Sequence, residues 1–332
     1  MAFGRIVKLY IGKFAVGNIT GENSRDLSCY DIDFEVTRSI EWYDNEATIT
    51  VYNPSPETIN FVMSDGNSVL LQAGHQDETV GNIFVGQIGM AVPRRDGKDI
   101  TLTLTCISAR GTFYQLARLN CAIAFQETDT VKKCLLELCD YAGIALRAGS
   151  QKELSQPIEE EFAISGTFRQ AVCKFRDDIL VPKFGLHLYF DNNEMIVVNA
   201  DEKSIDLEEI VLDFKSGLLH AEEIRDESAN KVNFGEDPAY YFFSQDEKDE
   251  PSQEKKPSKE IDRTRKVRFT ALISPKYAPN VFVKLDSRHG DKYDNVQGLS
   301  IQGNFIVTEC SFRGSNTGGD FTVECEAREA NW

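Results

Sequence analysis

The chain has 332 residues, with 53 Asp and Glu against 36 Lys and Arg and a formal net charge of −17. That length supplies two or three domains with real cores, and the acidic balance argues against affinity for nucleic-acid phosphates, although an ordinary acidic surface explains it equally. No apolar run approaches the roughly 18 residues of a membrane span, and Met1–Lys8 has no signal-peptide core, so a soluble, non-exported polypeptide is expected.

The first hundred residues carry strand signals. Ile32, Phe34 and Val36 alternate with Asp33, Glu35 and Thr37, and the β-branched run Ala47–Tyr52 stops at Asn53–Pro56, where proline cannot continue a ladder. Glu57–Met63 is predicted as one short helix with Asp65 and Gly66 as its exit. Ser68–Gly74 and Ile83–Val92 follow as strands. The turn Pro93–Gly97 leads into Ile100, Leu102, Leu104 and Cys106, alternating with Thr101, Thr103 and Thr105. Short strands at roughly 10–15-residue spacing predict a barrel or sandwich.

After Gly111 the period becomes helical. Val131, Cys134, Leu135, Leu138, Cys139 and Ala142 form one apolar stripe, and Gly143 ends the helix. A second helix starts at Thr167, where Thr167 and Gln170 make a capping-box pattern, and buries Phe168, Val172, Phe175 and Ile179. Both openings place a Thr five residues after a Phe (Phe125 and Thr130, Phe162 and Thr167), and each helix is followed by an extended segment, Gly143–Leu146 and Gly185–Phe190. This reads as a doubled strand–helix–strand unit or as coincidence between two amphipathic helices. Asp191–Glu194 then turns into Met195–Val198, a hairpin closing the α+β segment.

Ser216–His220 resumes strand character, and periodicity is lost from Asp226 to Arg265. Asp246–Glu260 has no hydrophobic residue besides prolines and cannot offset its own ordering entropy, which predicts an exposed mobile loop. Tyr240–Phe243 reads as a strand or core plug, or as a partner-binding patch. From Val267 onward apolar alternation returns. Phe321, Val323, Cys325 and Ala327 share one face, with Thr322, Glu324, Glu326 and Arg328 on the other. The loop Arg313–Asp320, with three glycines and Asn316, predicts a reversal pairing Phe305–Phe312 with Phe321–Ala327 inside a small closed barrel. In that hairpin Phe312 faces Phe321, which puts Cys310 only diagonal to Cys325 and disfavours a bridge.

The eight cysteines (29, 106, 121, 134, 139, 173, 310 and 325) form no C-x-x-C pair and several sit on apolar strand faces, which predicts buried reduced thiols. The four histidines (75, 187, 220 and 289) lie far apart and give no metal-ligand spacing. No nucleophile elbow, phosphate loop or dinucleotide fingerprint is present. Asp286, Ser287, Arg288, His289 and Asp291 are catalytic residue types in a polar break between strands, and the 53 acids leave a two-carboxylate glycosidase open. The expectation is therefore a non-enzymatic protein with no catalytic, cofactor or metal residues.

The collected motifs resemble a family. Ile49–Asn60 with Tyr52 and Asn53 at a strand end, Val69–Gly74 ending in Ala73 and Gly74, and Ile83–Ile88 with Phe84, Gly86 and Ile88 are similar to the first barrel of tail (baseplate) hub proteins of tailed bacteriophages. That family includes the T-even tail hub, the late control protein D group and the hub portion of type VI secretion valine-glycine repeat proteins. Ser216–Leu219, Ile273–Val283, Gly303–Thr308 and Gly318–Val323 match its later pieces in order, while the charged insert interrupts the usual short hop to the last barrel.

The resemblance implies a mainly β fold with an α+β insert: two small antiparallel β-barrels of the tail-tube/hub type plus a helix-containing α+β domain. The expected division is 1–111 for the first barrel, 112–205 for the α+β domain with two helices, 206–225 and 266–332 for the second barrel, and 226–265 for the insertion. It also implies a structural hub at a phage tail tip, present in the virion and assembled in the host cytoplasm. The hub would be a homotrimer whose pseudo-six-fold ring adapts a hexameric tail tube to a trimeric central spike, with the α+β domain outside the ring. Tube and spike proteins are the implied partners, with tape-measure and baseplate wedge proteins as further ones, and neither specific nucleic-acid nor membrane binding is implied. The chain stops shortly after Ala327, so a spike is expected as a separate polypeptide. A virion cell-wall hydrolase and a carbohydrate-binding tail protein are the alternative readings.

Overall fold

A computed structural model describes residues 4–13, 24–40, 45–64, 67–76, 78–108, 119–148, 152–192, 194–199, 209–224, 265–290, 294 and 300–330. The charged stretch expected as a mobile loop (246–260), the aromatic group at 240–243 and the expected helix exit at 65–66 lie outside the described residues.

Alternating sequence dictates a sheet with one dry and one wet face. β3 (Asp31–Ser39) buries Ile32, Phe34 and Val36, β4 (Glu46–Tyr52) buries Ala47, Ile49 and Val51, and β7 (Asp99–Ser108) buries Leu102, Leu104 and Cys106. Asn53 turns out of β4 with a positive φ of 51°. Pro56 then opens the expected short helix α1 (Pro56–Val62), whose N-cap Ser55 Oγ accepts from the Thr58 amide at 3.2 Å. β1 (Arg5–Gly12), β2 (Ser24–Asp26), β5 (Ser68–His75) and β6 (Gly81–Asp96) complete the first half. The second half comprises β13 (Ile210–Leu212), β14 (Leu218–Ile224), β15 (Lys266–Leu272), β16 (Phe282–Asp286), β17 (Gln302–Ser315) and β18 (Phe321–Glu329).

These strands form one sheet in the order β14-β15-β18-β17-β3-β4-β7-β6-β5-β1-β2, with β16 on the other end of β17 and β13 parallel to β16. The mainly β architecture is as expected. The closed barrels are not: among the described residues no ring of pairings closes. The reason is that β17 changes partner halfway. It pairs with β16 over Gln302–Ile306 and with β3 over Glu309–Ser315, which carries the sheet from one half into the other. A single apolar core runs beneath both halves, from Leu9 and Ile49 to Phe269 and Val323.

The hairpin of β17 and β18 also corrects the expected register. The turn is two residues tighter than expected, with Gly314 facing Phe321, so Phe312 faces Val323 and Cys310 faces Cys325 directly; a bulge between Val307 and Glu309 shifts the pairing only beyond that point. Their sulfurs are 3.7 Å apart, and both thiols are free and buried.

The two halves of the sheet repeat. β3, β4, β5, β6 and β7 stand in the spatial order β3-β4-β7-β6-β5, and β14, β15, β16, β17 and β18 stand in the order β14-β15-β18-β17-β16. The repeat extends to the bulges: β6 slips against β7 between Ile88 and Met90, as β17 slips against β18 between Val307 and Glu309. In this correspondence Arg94 opposite Thr101 matches Arg313 opposite Thr322.

The middle segment has its own core. β8 (Asn120–Phe125) pairs with β10 (Phe162–Thr167), and β9 (Ala145–Ala148) runs parallel to β12 (Glu194–Asn199), which pairs with β11 (Leu186–Asp191). Helix α2 (Val131–Ala142) is capped by Thr130 and ends at Gly143, whose φ of 65° suits glycine. Helix α3 (Phe168–Phe175) carries the expected capping box: the Thr167 amide donates to Gln170 Oε1 and the Gln170 amide to Thr167 Oγ1. It continues through a π-helical turn, Arg176–Leu180, into Val181–Phe184 and ends at Gly185, with φ 63°. Two strand–helix–strand passages are therefore present. The Phe-to-Thr spacing does not align them, because Phe125 ends β8 whereas Phe162 begins β10, and the two rings stack across the pair at 5.8 Å.

Candidate functional site

The β11–β12 hairpin is apolar on both faces because both are covered. Leu186, Leu188, Phe190, Met195 and Val197 pack under the helices, while Tyr189, Ile196 and Val198 turn toward Ile40 at the end of β3. Its tip is fixed to the main sheet by a buried ion pair. Arg38 Nε donates to Asp191 Oδ1 at 3.0 Å and Nη2 to Oδ2 at 2.5 Å, with both side chains almost wholly enclosed. Asn45 Nδ2 donates to the same Oδ1 at 2.8 Å, Arg38 Nη1 to the Tyr277 carbonyl at 3.4 Å, and Tyr189 Oη to the Pro279 carbonyl at 3.3 Å. Burial alone would push the Arg38 guanidinium down; the Asp191 charge and hydrogen bonds reverse that and raise it. The Val85 amide donates to Asn192 Oδ1 at 3.1 Å, adding β6 to the joint. Such a bidentate, fully satisfied pair fixes orientation.

The outward face of the main sheet is continuous across both halves and polar. One cross-strand row runs Arg313, Glu35, Thr48, Thr105 and the next Ser315, Asp33, Thr50, Thr103. On β3 and β4 every outward charge is a carboxylate: Asp31, Asp33, Glu35 and Glu46. Arg313 Nη2 meets Glu35 at 2.5 Å across the β17–β3 joint, and Arg268 is shared among Glu222, Glu324 and Glu326 at 3.4, 3.5 and 2.6 Å. An open groove of about 550 Å³ lies over the joint, lined by Asp33, Glu35, Thr48, Thr50, Arg313 and Asp320 among others. Threonine suits such a surface: it favours strands and exposes a hydroxyl.

Several strand edges have no second partner among the described residues, β2 and β13 included, and two of them occupy strands of the repeat. β14 pairs only with β15, and β6 beyond Gln87 pairs only with β7, so Gly89–Asp96 projects past β5 with Met90 57 % exposed. Unpaired strand edges are templates for pairing with another chain.

The catalytic residue types at 286–289 do not assemble. Arg288 folds back on Asp286, with Nε to Oδ1 at 2.8 Å and Nη2 to Oδ2 at 2.5 Å, and this holds the carboxyl below its usual range. Ser287 Oγ accepts the Ile301 amide at 2.7 Å, His289 stacks on Phe214 at 4.1 Å, and Asp291 lies outside the described residues. Among the described residues no three His, Cys, Asp or Glu side chains gather as a metal site, and no helix is long and apolar enough to cross a membrane. His75 is buried at the end of β5 with its ring edge on Phe321 at 5.2 Å, while Arg5 Nη2 donates to the Gly319 carbonyl at 2.6 Å. The β1–β5 end thus touches the β17–β18 turn through side chains rather than a ladder.

Sequence reading missed the Arg38–Asp191 joint. Arg38 falls in the apolar phase of β3, after Ile32, Phe34 and Val36, and a charge in that phase was the available signal.

No protein-family model matches the chain, and no curated protein matches it in sequence. Solved structures do match. A tail protein from Neisseria meningitidis has a TM-score of 0.60 at 12 % identity, covering 98 % of this chain and 97 % of its own. The 43 kDa tail protein of prophage MuSo2 from Shewanella oneidensis has a TM-score of 0.57 at 11 % identity, covering 98 % of both chains. A chain of the Francisella PdpA-VgrG complex has a TM-score of 0.59 at 9 % identity, covering 100 % of this chain and 60 % of its own. The likeness is one of fold, and it spans essentially the whole chain and nearly all of both tail proteins.

Proposed function

We propose that this chain is a non-enzymatic structural hub at the tip of a phage tail, acting in the virion after assembly in the host cytoplasm. Three copies form a ring of six similar half-sheets, one face toward a six-fold tail tube and the other toward a three-fold spike. The observation that carries this reading is the internal repeat: one chain presents the same strand arrangement twice along one continuous sheet, which lets a three-fold object show a pseudo-six-fold surface. The fold shared with tail proteins supports it. The outward row of Thr, Asp and Glu is the wall of the lumen, where carboxylates repel rather than retain passing DNA.

The division of labour follows the two cores. Residues 1–111 and 206–225 with 266–332 build the ring, 112–205 stand outside it on the Arg38–Asp191 anchor, and 226–265 form an insertion. Tube and spike proteins are the direct partners, with tape-measure and baseplate wedge proteins beyond them.

Light scattering on the purified chain tests this. A mass three times that of the chain is expected. A monomer at every concentration, or cleavage of peptidoglycan or retention on glycans by the isolated chain, overturns it in favour of a hydrolase or a carbohydrate-binding protein.

A further inference from the structure

The repeat within the chain contains its own template for a contact between chains. Inside one copy, the halves join where the last stretch of β17 pairs antiparallel with β3, with Arg313 opposite Glu35 and Ser311 opposite Thr37. The equivalents of these two strands are β6 and β14, and their corresponding edges both stay open among the described residues. Following the registers, Arg313 corresponds to Arg94 and Ser311 to Val92. On the other strand, Phe34 faces Ile49, which faces Leu104, as Ala221 faces Phe269, which faces Cys325. Glu35 therefore corresponds to Glu222 and Thr37 to Ile224.

We propose that the projecting edge of β6 pairs antiparallel with the open edge of β14 in a neighbouring copy of this chain, Arg94 opposite Glu222 and Val92 opposite Ile224. The charges already match. Arg313 meets Glu35 within the chain at 2.5 Å, and the open edges carry an arginine and a glutamate in the same places. Glu222 shares Arg268 with two other carboxylates and has the His220 ring at 3.8 Å, so one arginine charge is divided among three carboxylates there. Arg94 is exposed and forms no ion pair among the described residues. Strand directions agree as well, because the repeat places β14 and β3 in one sense and β17 and β6 in the other. An edge that pairs with a different edge of the next copy is a head-to-tail contact, which closes into a ring when the rotation per copy divides the circle. The ladder supplies the attraction and the side chains its register.

This rests on the ring reading above, and the test separates the two. In the full chain, Arg94→Glu and Glu222→Arg each place like charges face to face at every joint and shift the association midpoint to about tenfold higher concentration. The double variant Arg94→Glu/Glu222→Arg restores assembly. In a Cys29→Ser background, Val92→Cys with Ile224→Cys gives disulfide-linked multimers on non-reducing gels, whereas each cysteine alone gives none. An unsubstituted chain that assembles, with charge variants of unchanged mass and no cross-linking, overturns this joint and leaves the ring standing. An unsubstituted chain that is monomeric at all concentrations overturns the ring itself.

Discussion

The two halves of the sheet share strand order, direction and bulge position, but their surroundings differ. In the first half β5 is backed by the antiparallel β1, and the long β6 ends in free air; in the second β16 is backed by a short parallel β13, and the end of β17 is covered by β3. The same strand is thus a buried joint in one half and an open edge in the other. The different fates follow from chain termination of the sheet, since the last unit in any head-to-tail row has no neighbour within its own chain.

The largest expected effect is at the anchor of the α+β unit, whose charged residue on the main sheet, Arg38, belongs to the first half. Asp191→Ala leaves Arg38 charged and buried without its counter-ion and costs about 3–5 kcal/mol, read by urea denaturation. Asp191→Asn, which keeps an acceptor for Arg38, costs less.

Next comes the joint of the halves. At Gly314 an added Cβ would sit 2.7 Å from Phe34 and 2.8 Å from Phe321, ring atoms of the two half-cores. Gly314→Ala is expected to cost about 1–3 kcal/mol. Gly318→Ala, in the same turn with open space around it, should change stability little.

His75 sharpens the comparison by pH. Burial, foremost, lowers its pKa, Glu78 opposing and Arg5 reinforcing, and neither ring nitrogen has a partner among the described residues. The folded state therefore holds the neutral ring, and the unfolded chain binds the proton more readily. This contribution is fully present above the unfolded pKa of about 6.5 and is lost as pH falls below it. Denaturation midpoints should drop on acidification through that window, and His75→Leu should flatten the His-dependent part of the slope.

The smallest effect belongs to the surface pair. Arg313→Ala breaks the exposed link to Glu35 and costs under about 1 kcal/mol of chain stability, while Arg94→Ala costs nothing measurable in the monomer.

Much of this was legible in the sequence. Period-two runs such as Ile32–Val36 and Phe321–Ala327 gave their strands, and Thr167 with Gln170 gave a helix start to the residue, because these signals are local. What failed was non-local. The partner change along β17 depends on which strand lies beside it, and a turn two residues tighter, with Gly314 facing Phe321, was enough to bring Cys310 against Cys325. Thiol titration of the denatured chain under non-reducing conditions reads the state of that pair. All eight cysteines are expected free, and a count two lower would mean that Cys310 and Cys325 had closed into a disulfide. The Arg38–Asp191 anchor was half hidden for the same reason as the joint: Arg38 stands out as a charge in the apolar phase of β3, but its partner lies 153 positions away.

The most direct test of the account is an averaged electron-microscope image of the purified chain viewed down its symmetry axis. The account predicts a three-fold ring with six similar lobes around an open lumen and three peripheral masses from the α+β units. A compact particle without a central opening, or a two-fold one, would contradict it.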